Sequence, residues 1–559
     1  MDHITLYMIM AVTVVAVIVA LSAVSDRLGV APPLILMLVG VGISLLPFVG
    51  SITISPELIL AGILPPLLYA AAVSIPTVDL RRDYAAVGGL AVVLVVVSAV
   101  VLGLVIHLLI PGVSLPVGIA LGAILSPTDA AATTIVKRLG VPSRVRIILQ
   151  GESLLNDATA LVLLRTAIAA TAIGVSFWGA IGSFLWAAVV AAAIGFVVGW
   201  AGIRLRRLVH GPAPATAISF LLPFVAYVPA ELAQASGFVA VVAAGLVTAQ
   251  MSPKHLDARQ RMSERANWQT VEFLLEGAVF FAMGLELYGL IVDVHHTHES
   301  LWIAAGVAGL ALLIVLVVRW IYLLVLVRGT RRTTRRKADR TQRWQQVREA
   351  ARSDLDGVSE RRAQVRARVE EADEATRARF ETRMHQWRLR MGRYLHDVEY
   401  LIRQPLGGKE AALLAWAGMR GVVTLAAAQT LPLDTPHRSI LILIAFFVAA
   451  GSLVIQGATL SWVISALGLA GADDQADDEW DRIQADLDRA TQNADLSALE
   501  GPARETGPDQ VALVQLRARR QALLELRSVG AYSCQTLATA LAELDAQELA
   551  IQLRFSVGE

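Results

Sequence analysis

The chain has 559 residues, of which 55% are hydrophobic and only 17% charged, with a formal net charge of +1 and a mean hydropathy of +0.59. A soluble globular domain carries about 25% charge, so the composition excludes an ordinary soluble enzyme, and the balanced charge gives no pull toward nucleic acid. The single cysteine, Cys534, excludes an intrachain disulfide framework and a cysteine-based metal cluster.

The apolar residues cluster in runs of roughly 20, the length that crosses about 30 Å of hydrocarbon as a helix. In chain order, runs near 4–24, 30–49, 57–75, 84–110, 115–137, 147–172, 177–203, 213–232, 236–250, 268–291, 300–327, 409–431 and 438–468 predict thirteen transmembrane helices in an all-α polytopic membrane protein. The opening MDHIT has no basic n-region, so the first run reads as a retained helix and not a cleaved leader. One set of alternate short loops holds fourteen Lys and Arg, from Arg27 to Arg265, and the other holds Arg438 alone. That asymmetry predicts an amino terminus outside and a carboxyl terminus in the cytoplasm.

The expected organisation is helices one to eleven over 1–327, a basic helical cytoplasmic insertion over 328–408, helices twelve and thirteen over 409–468, and an acidic then helical cytoplasmic tail over 469–559. Between 329 and 409 stand 21 basic and 12 acidic residues, a net of +9, while 471–559 holds 8 and 17, a net of −9. Either both segments are solvated helical surface, or they dock on each other or on anionic lipid.

Each ionised group at the bilayer centre costs at least about 2.5 to 3.5 kcal/mol on insertion scales, so the few that enter the membrane point to function. The fifth run reads GIALGAILSPTDAAATTIVKRLG, where Pro127 removes a backbone donor beside Thr128 and Asp129. Freed backbone groups at that depth are tolerated only beside a cavity or other protein. The sixth run opens QGESLLNDATALVLL. Glu152 with Asn156, and Ser153 with Asp157, are four residues apart and project from neighbouring ridges of one helix. Opposite the broken helix they make an oxygen-rich pocket of the kind hard cations prefer.

Other charges lie in apolar runs. Arg319 in the eleventh is deep and needs a carboxylate fork, with Glu152 the first choice and Glu276 the second. Glu272 and Glu286 read as snorkelling residues at opposite interfaces, and Arg165 as snorkelling or paired with Glu286. The cluster at His295, His296 and His298 has no common zinc spacing and reads as loop surface. No serine stands in a G-x-S-x-G elbow, against an intramembrane hydrolase.

The twelfth run, LLAWAGMRGVVTLAAAQTLP, places Gly418 and Gly421 around Arg420, a second candidate interruption. If spans one to six and eight to thirteen are repeats, both interrupted helices are fifth in their repeat. Two such breaks in inverted six-helix halves point to a transporter site at the midplane, and favour a carrier over a channel.

SPTDAA followed by GESLLNDATALV resembles the signature of the electroneutral sodium/proton antiporters, the NhaP-type bacterial exchangers and their eukaryotic relatives. LPPLLYAAAVSI, EGAVFFAMGLEL, Arg319 and AGMRGVVTLAAA extend the resemblance over residues 1–468. It implies a homodimer in the plasma (inner) membrane of a bacterial-type cell, exchanging Na⁺, with Li⁺ or K⁺ as further candidates, for H⁺ in pH homeostasis and without a cofactor. Asp157 would bind the ion with Asn156 beside it, Thr128, Asp129 and Ser153 would complete or support the site, and Na⁺ would lie at Asp157, Ser153 and Thr128. Glu152 would pair with Arg319, and Arg420 and Glu276 would lend support. Some archaeal members carry a glutamate after the aromatic of the third-span motif, where Tyr69 is here followed by Ala70, so a site oxygen from that helix is absent. An electrogenic or K⁺-selective exchanger is the nearest alternative.

Overall fold

The computed structural model describes residues 3–28, 30–47, 54–129, 131–173, 177–209, 211–296, 299–353, 382–383, 386, 390–391, 394, 397–402, 404–471, 475–492, 508–529 and 532–557. His298 lies outside them. Among the described residues every regular element is helical, and the chain divides into a membrane unit, 1–323 with 409–474, and a second unit, 324–408 with 475–559.

The membrane unit opens with α1 (His3–Leu28) and α2 (Pro32–Ser44). A π-helical turn, Leu58–Ile63, runs without a break into α3 (Leu64–Ser74), where Pro65 and Pro66 lack the N–H that would bond back into that turn. After α4 (Thr77–Arg82) and α5 (Tyr84–Gly88), a second π-helical turn, Gly89–Leu94, joins α6 (Val95–Leu109). Helix α7 (Leu115–Leu125) stops two residues before Pro127, and α8 (Ala131–Arg138) resumes beyond it. There follow α9 (Ser143–Ile173), α10 (Phe177–Leu208), α11 (Pro212–Leu232), α12 (Gly237–His255), α13 (Ala258–Leu285), α14 (Leu287–His296) and α15 (Leu301–Ser353). A second broken pair, α16 (Gly408–Trp416) and α17 (Val422–Gln429), precedes α18 (Arg438–Leu467).

Seven described helices are long and apolar enough to cross a membrane, and four shorter apolar ones accompany them. Interruption is one reason an apolar run falls short of that length: α7 and α8 share one run, as do α16 and α17. The run 268–291 lies within one candidate span, Ala258–His296, with only the turn at Glu286 between α13 and α14. One outline differs from expectation. Helix α15 continues to Ser353, well past residue 327, because the arginine-rich text that follows is built of strong helix formers with no proline to stop it.

In the second unit, α19 (Gln475–Gln492), α20 (Pro508–Val529) and α21 (Cys534–Val557) bury a shared apolar seam that includes Ile483, Leu487, Leu523 and Leu544. Arg520 bridges to Asp545 at 2.6 Å. The Tyr532 hydroxyl donates to Asp486 Oδ2 at 2.6 Å, and burial together with that bond pushes its phenol up to about 12.

Candidate functional site

Two broken helices cross at residues 126–129 and 417–421, and backbone bonds hold the crossing. The Asp129 amide donates to Met419 O at 2.6 Å. Four half-helix ends meet there, each with an uncompensated partial charge. At the negative ends, Arg420 donates through Nε to Leu125 O, the last residue of α7, at 3.2 Å, and through Nη1 to Gly418 O beyond α16. At the positive ends, the Asp129 carboxylate accepts the amide of Ala131, the first residue of α8, at 3.1 Å, and lies against Gly421, immediately before α17. The Ser452 hydroxyl accepts the Arg420 amide at 2.8 Å. The crossing therefore carries one cation and one anion at the ends that need them.

Glycine is required twice. A methyl group on Gly421 would overlap the Asp129 carboxylate, and one on Gly418 would meet the Arg319 guanidinium at 2.6 Å from Nε.

Beside the crossing runs α9. Glu152, 1% exposed, takes both arms of Arg319: Nη1 to Oε1, and Nη2 to Oε2 at 2.9 Å. Arg319 also donates twice to Leu414 O, at 2.9 and 2.8 Å, which fastens α15 to α16. Of the two carboxylates weighed for Arg319, the fold thus uses Glu152. Thr128 donates to Glu152 Oε1 at 3.2 Å and accepts from Asn156 Nδ2 at 2.7 Å. Its hydroxyl is already both donor and acceptor. Asn156 Oδ1 is buried and has no hydrogen-bond partner among the described residues.

Asp157 differs from these neighbours. The residue is half-buried, and its carboxylate takes no hydrogen bond from any described residue, with the Asp129 carboxylate in electrostatic reach. Ser153 lies buried one turn before it. Glu276, half-buried on α13, is in electrostatic reach of Asp129 and of Glu272 one turn earlier. Asp157, Asp129 and Glu276 therefore share one acidic region, while Thr128, Asn156, Glu152 and Arg319 form the hydrogen-bonded wall next to it.

Two expectations need correction. Arg165 does not pair with Glu286: it grips Glu231 on α11 at 2.9 and 2.7 Å. Glu286 does not snorkel to the surface: it is 4% exposed and accepts from Gln429 Nε2 at 2.9 Å and Ile54 N at 3.1 Å. Arg165 thus has a carboxylate partner on a neighbouring helix, whereas the donors that reach Glu286 are both neutral. Sequence reasoning also passed over Arg144 with Asp83, at 2.7 Å, and Arg206 with Glu264, at 2.5 Å. Those arginines counted as loop charges, yet they are 2% and 0% exposed.

Crossed half-helices with their end charges balanced, and a carboxylate left unclaimed beside them in an apolar bundle, define a membrane ion carrier. Comparison with known proteins makes this particular. The model of the family "sodium/hydrogen exchanger, transmembrane" matches residues 13–342. An uncharacterized Na⁺/H⁺ exchanger of Mycobacterium tuberculosis is 27% identical over 546 residues, 94% of this chain and 85% of that one. The uncharacterized Na⁺/H⁺ exchanger YjcE of Escherichia coli is 38% identical over 295 residues, 50% of this chain and 53% of that one. The solved sodium proton antiporter MjNhaP1 of Methanocaldococcus jannaschii has a similar fold, with a TM-score of 0.55 at 16% identity over 82% of this chain and 99% of that one. The chain belongs to the sodium/hydrogen exchanger family of monovalent cation/proton antiporters, and is a multi-pass membrane transporter, not an enzyme.

Proposed function

We propose that the protein exchanges Na⁺ for H⁺ one for one, with Asp157 holding either ion in turn. The observation that carries this reading is the state of that half-buried residue, whose carboxylate has no hydrogen-bond partner among the described residues and stands beside the helix crossing. A group that must pick up and release ions cannot be cemented into a network, whereas Glu152 and Arg319 are. Exclusive occupancy of one carboxylate couples two opposed fluxes without ATP. An empty, charged Asp157 pays a desolvation penalty to cross a low-dielectric barrier, so uncoupled leak is suppressed. Ser153 and the unpartnered Asn156 Oδ1 supply neutral oxygens for the cation, and Asp129 tunes the field while capping α8.

In the same reading the chain crosses a bacterial-type plasma membrane thirteen times as two inverted repeats, with its amino terminus outside, and works as a homodimer. The test is ion flux in proteoliposomes under an imposed pH gradient, with Na⁺, Li⁺ or K⁺ as the counter-ion. Na⁺-dependent dissipation of the gradient supports the proposal. Dissipation by K⁺ alone would transfer it to a potassium exchanger, and none by any cation would refute it.

A further inference from the structure

Within the membrane unit, α1–α3 with α10–α13 pack mainly on one another, as do α5–α9 with α16–α18. Two polar ties cross from one group to the other. Gln429, the last residue of α17, donates to Glu286, where α13 stops. Arg165 on α9 grips both oxygens of Glu231 near the end of α11, and Glu231 Oε1 also accepts the amide of Gly237 at the start of α12, at 2.9 Å. All four helices enter from arginine-rich loops or the basic insertion, so both ties sit at the arginine-poor end. Arg165 lies eight residues past Asp157, about 12 Å further along the helix axis.

The Glu286 tie is expensive for a packing contact. Among the described residues it buries a carboxylate whose partners are both neutral, and leaves Gln429 Oε1 buried without a hydrogen-bond partner. Two leucines would fill the space without that desolvation cost. A carboxylate against an amide suits a position that is alternately dry and wet, because water satisfies both groups once they part. The Arg165 pair is half-exposed and open to the same exchange of partners.

We propose that Glu286–Gln429 and Arg165–Glu231 are the ties of an outer gate, closed in this structure and parted each time Asp157 faces outside. The gate rests on the exchange reading above. The test replaces Cys534 by Ser and introduces Glu286→Cys with Gln429→Cys, joined in proteoliposomes by a short bifunctional methanethiosulfonate. Cross-linking is expected to slow exchange at least about tenfold, with recovery in dithiothreitol and no effect on either single-cysteine variant. Complete cross-linking with unchanged exchange overturns the gate alone; no exchange in the Cys534→Ser parent overturns the exchange reading and the gate with it. Arg165→Gln gives an independent readout. Loosening the closed outer end raises the outward-facing population, so KM for external cation should fall and KM for cytoplasmic cation should rise, each by about threefold to tenfold. A shift of equal sign on both sides, or none, would also overturn the gate.

Discussion

Asp157 and Glu152 stand five residues apart on α9, and their surroundings differ: Glu152 holds Arg319, whereas Asp157 takes no hydrogen bond from any described residue. Asp157→Asn keeps the shape and removes the ionisable group, so exchange should fall to the empty-vesicle level while extraction and melting match the parent. Glu152→Ala instead strands a buried Arg319, a loss of about 3–5 kcal/mol for a broken buried pair, and should show as a lowered melting temperature in detergent; melting equal to the parent would remove the pairing from the stability of the fold. Arg319 was legible in the sequence as a lone guanidinium inside an apolar run, since such a group must find a carboxylate. Which carboxylate Arg165 would take was not legible. Glu231 and Glu286 both lie near helix ends, and only the fold, which brings Arg165 on α9 to Glu231 near the end of α11, chooses between them.

At the scale of elements, the break in the fifth run was written in Pro127, because a missing N–H interrupts the helix wherever it falls. The second break carries no proline and was signalled only by Gly418 and Gly421. Their necessity comes from what they meet, the Arg319 guanidinium and the Asp129 carboxylate, which no spacing rule contains. The same holds for the shared duty of Arg420 and Asp129 at four helix ends, which exists only once the two broken helices cross. Gly421→Ala is expected to push Asp129 off the crossing, at about 1–3 kcal/mol of overpacking, and to reduce exchange at least about tenfold. Gly451→Ala in α18, where a methyl group meets open space, should leave the rate unchanged. Equal rates in the two variants would show that the crossing tolerates displacement of Asp129.

Across the whole molecule, hydropathy made the membrane portion readable as apolar helices, while the insertion and tail were readable only as helical and oppositely charged. The tail helices α19–α21 own an apolar seam, so removing 475–559 leaves the membrane unit its own core, including the Gly471 amide bonded to Leu139 O at 3.0 Å. That truncation should shift the activity-versus-pH curve and preserve transport; an unchanged curve at low and moderate ionic strength would leave both segments as solvated surface. Asn156 supplies an amide that does not titrate, and Glu152 is taken by Arg319, so in the proposed cycle Asp157 alone at this pair would trade one proton for one monovalent cation, and a full cycle would move no net charge. The potential, worth about 2.3 kcal/mol per charge per 100 mV, then drops out of the driving force. The decisive measurement clamps proteoliposomes at several membrane potentials with a potassium ionophore and records the sodium gradient at which flux reverses. The account predicts one reversal point, where the sodium and proton gradients match, at every potential; a reversal point that moves with potential would contradict it and assign a second titrating carboxylate to the cycle.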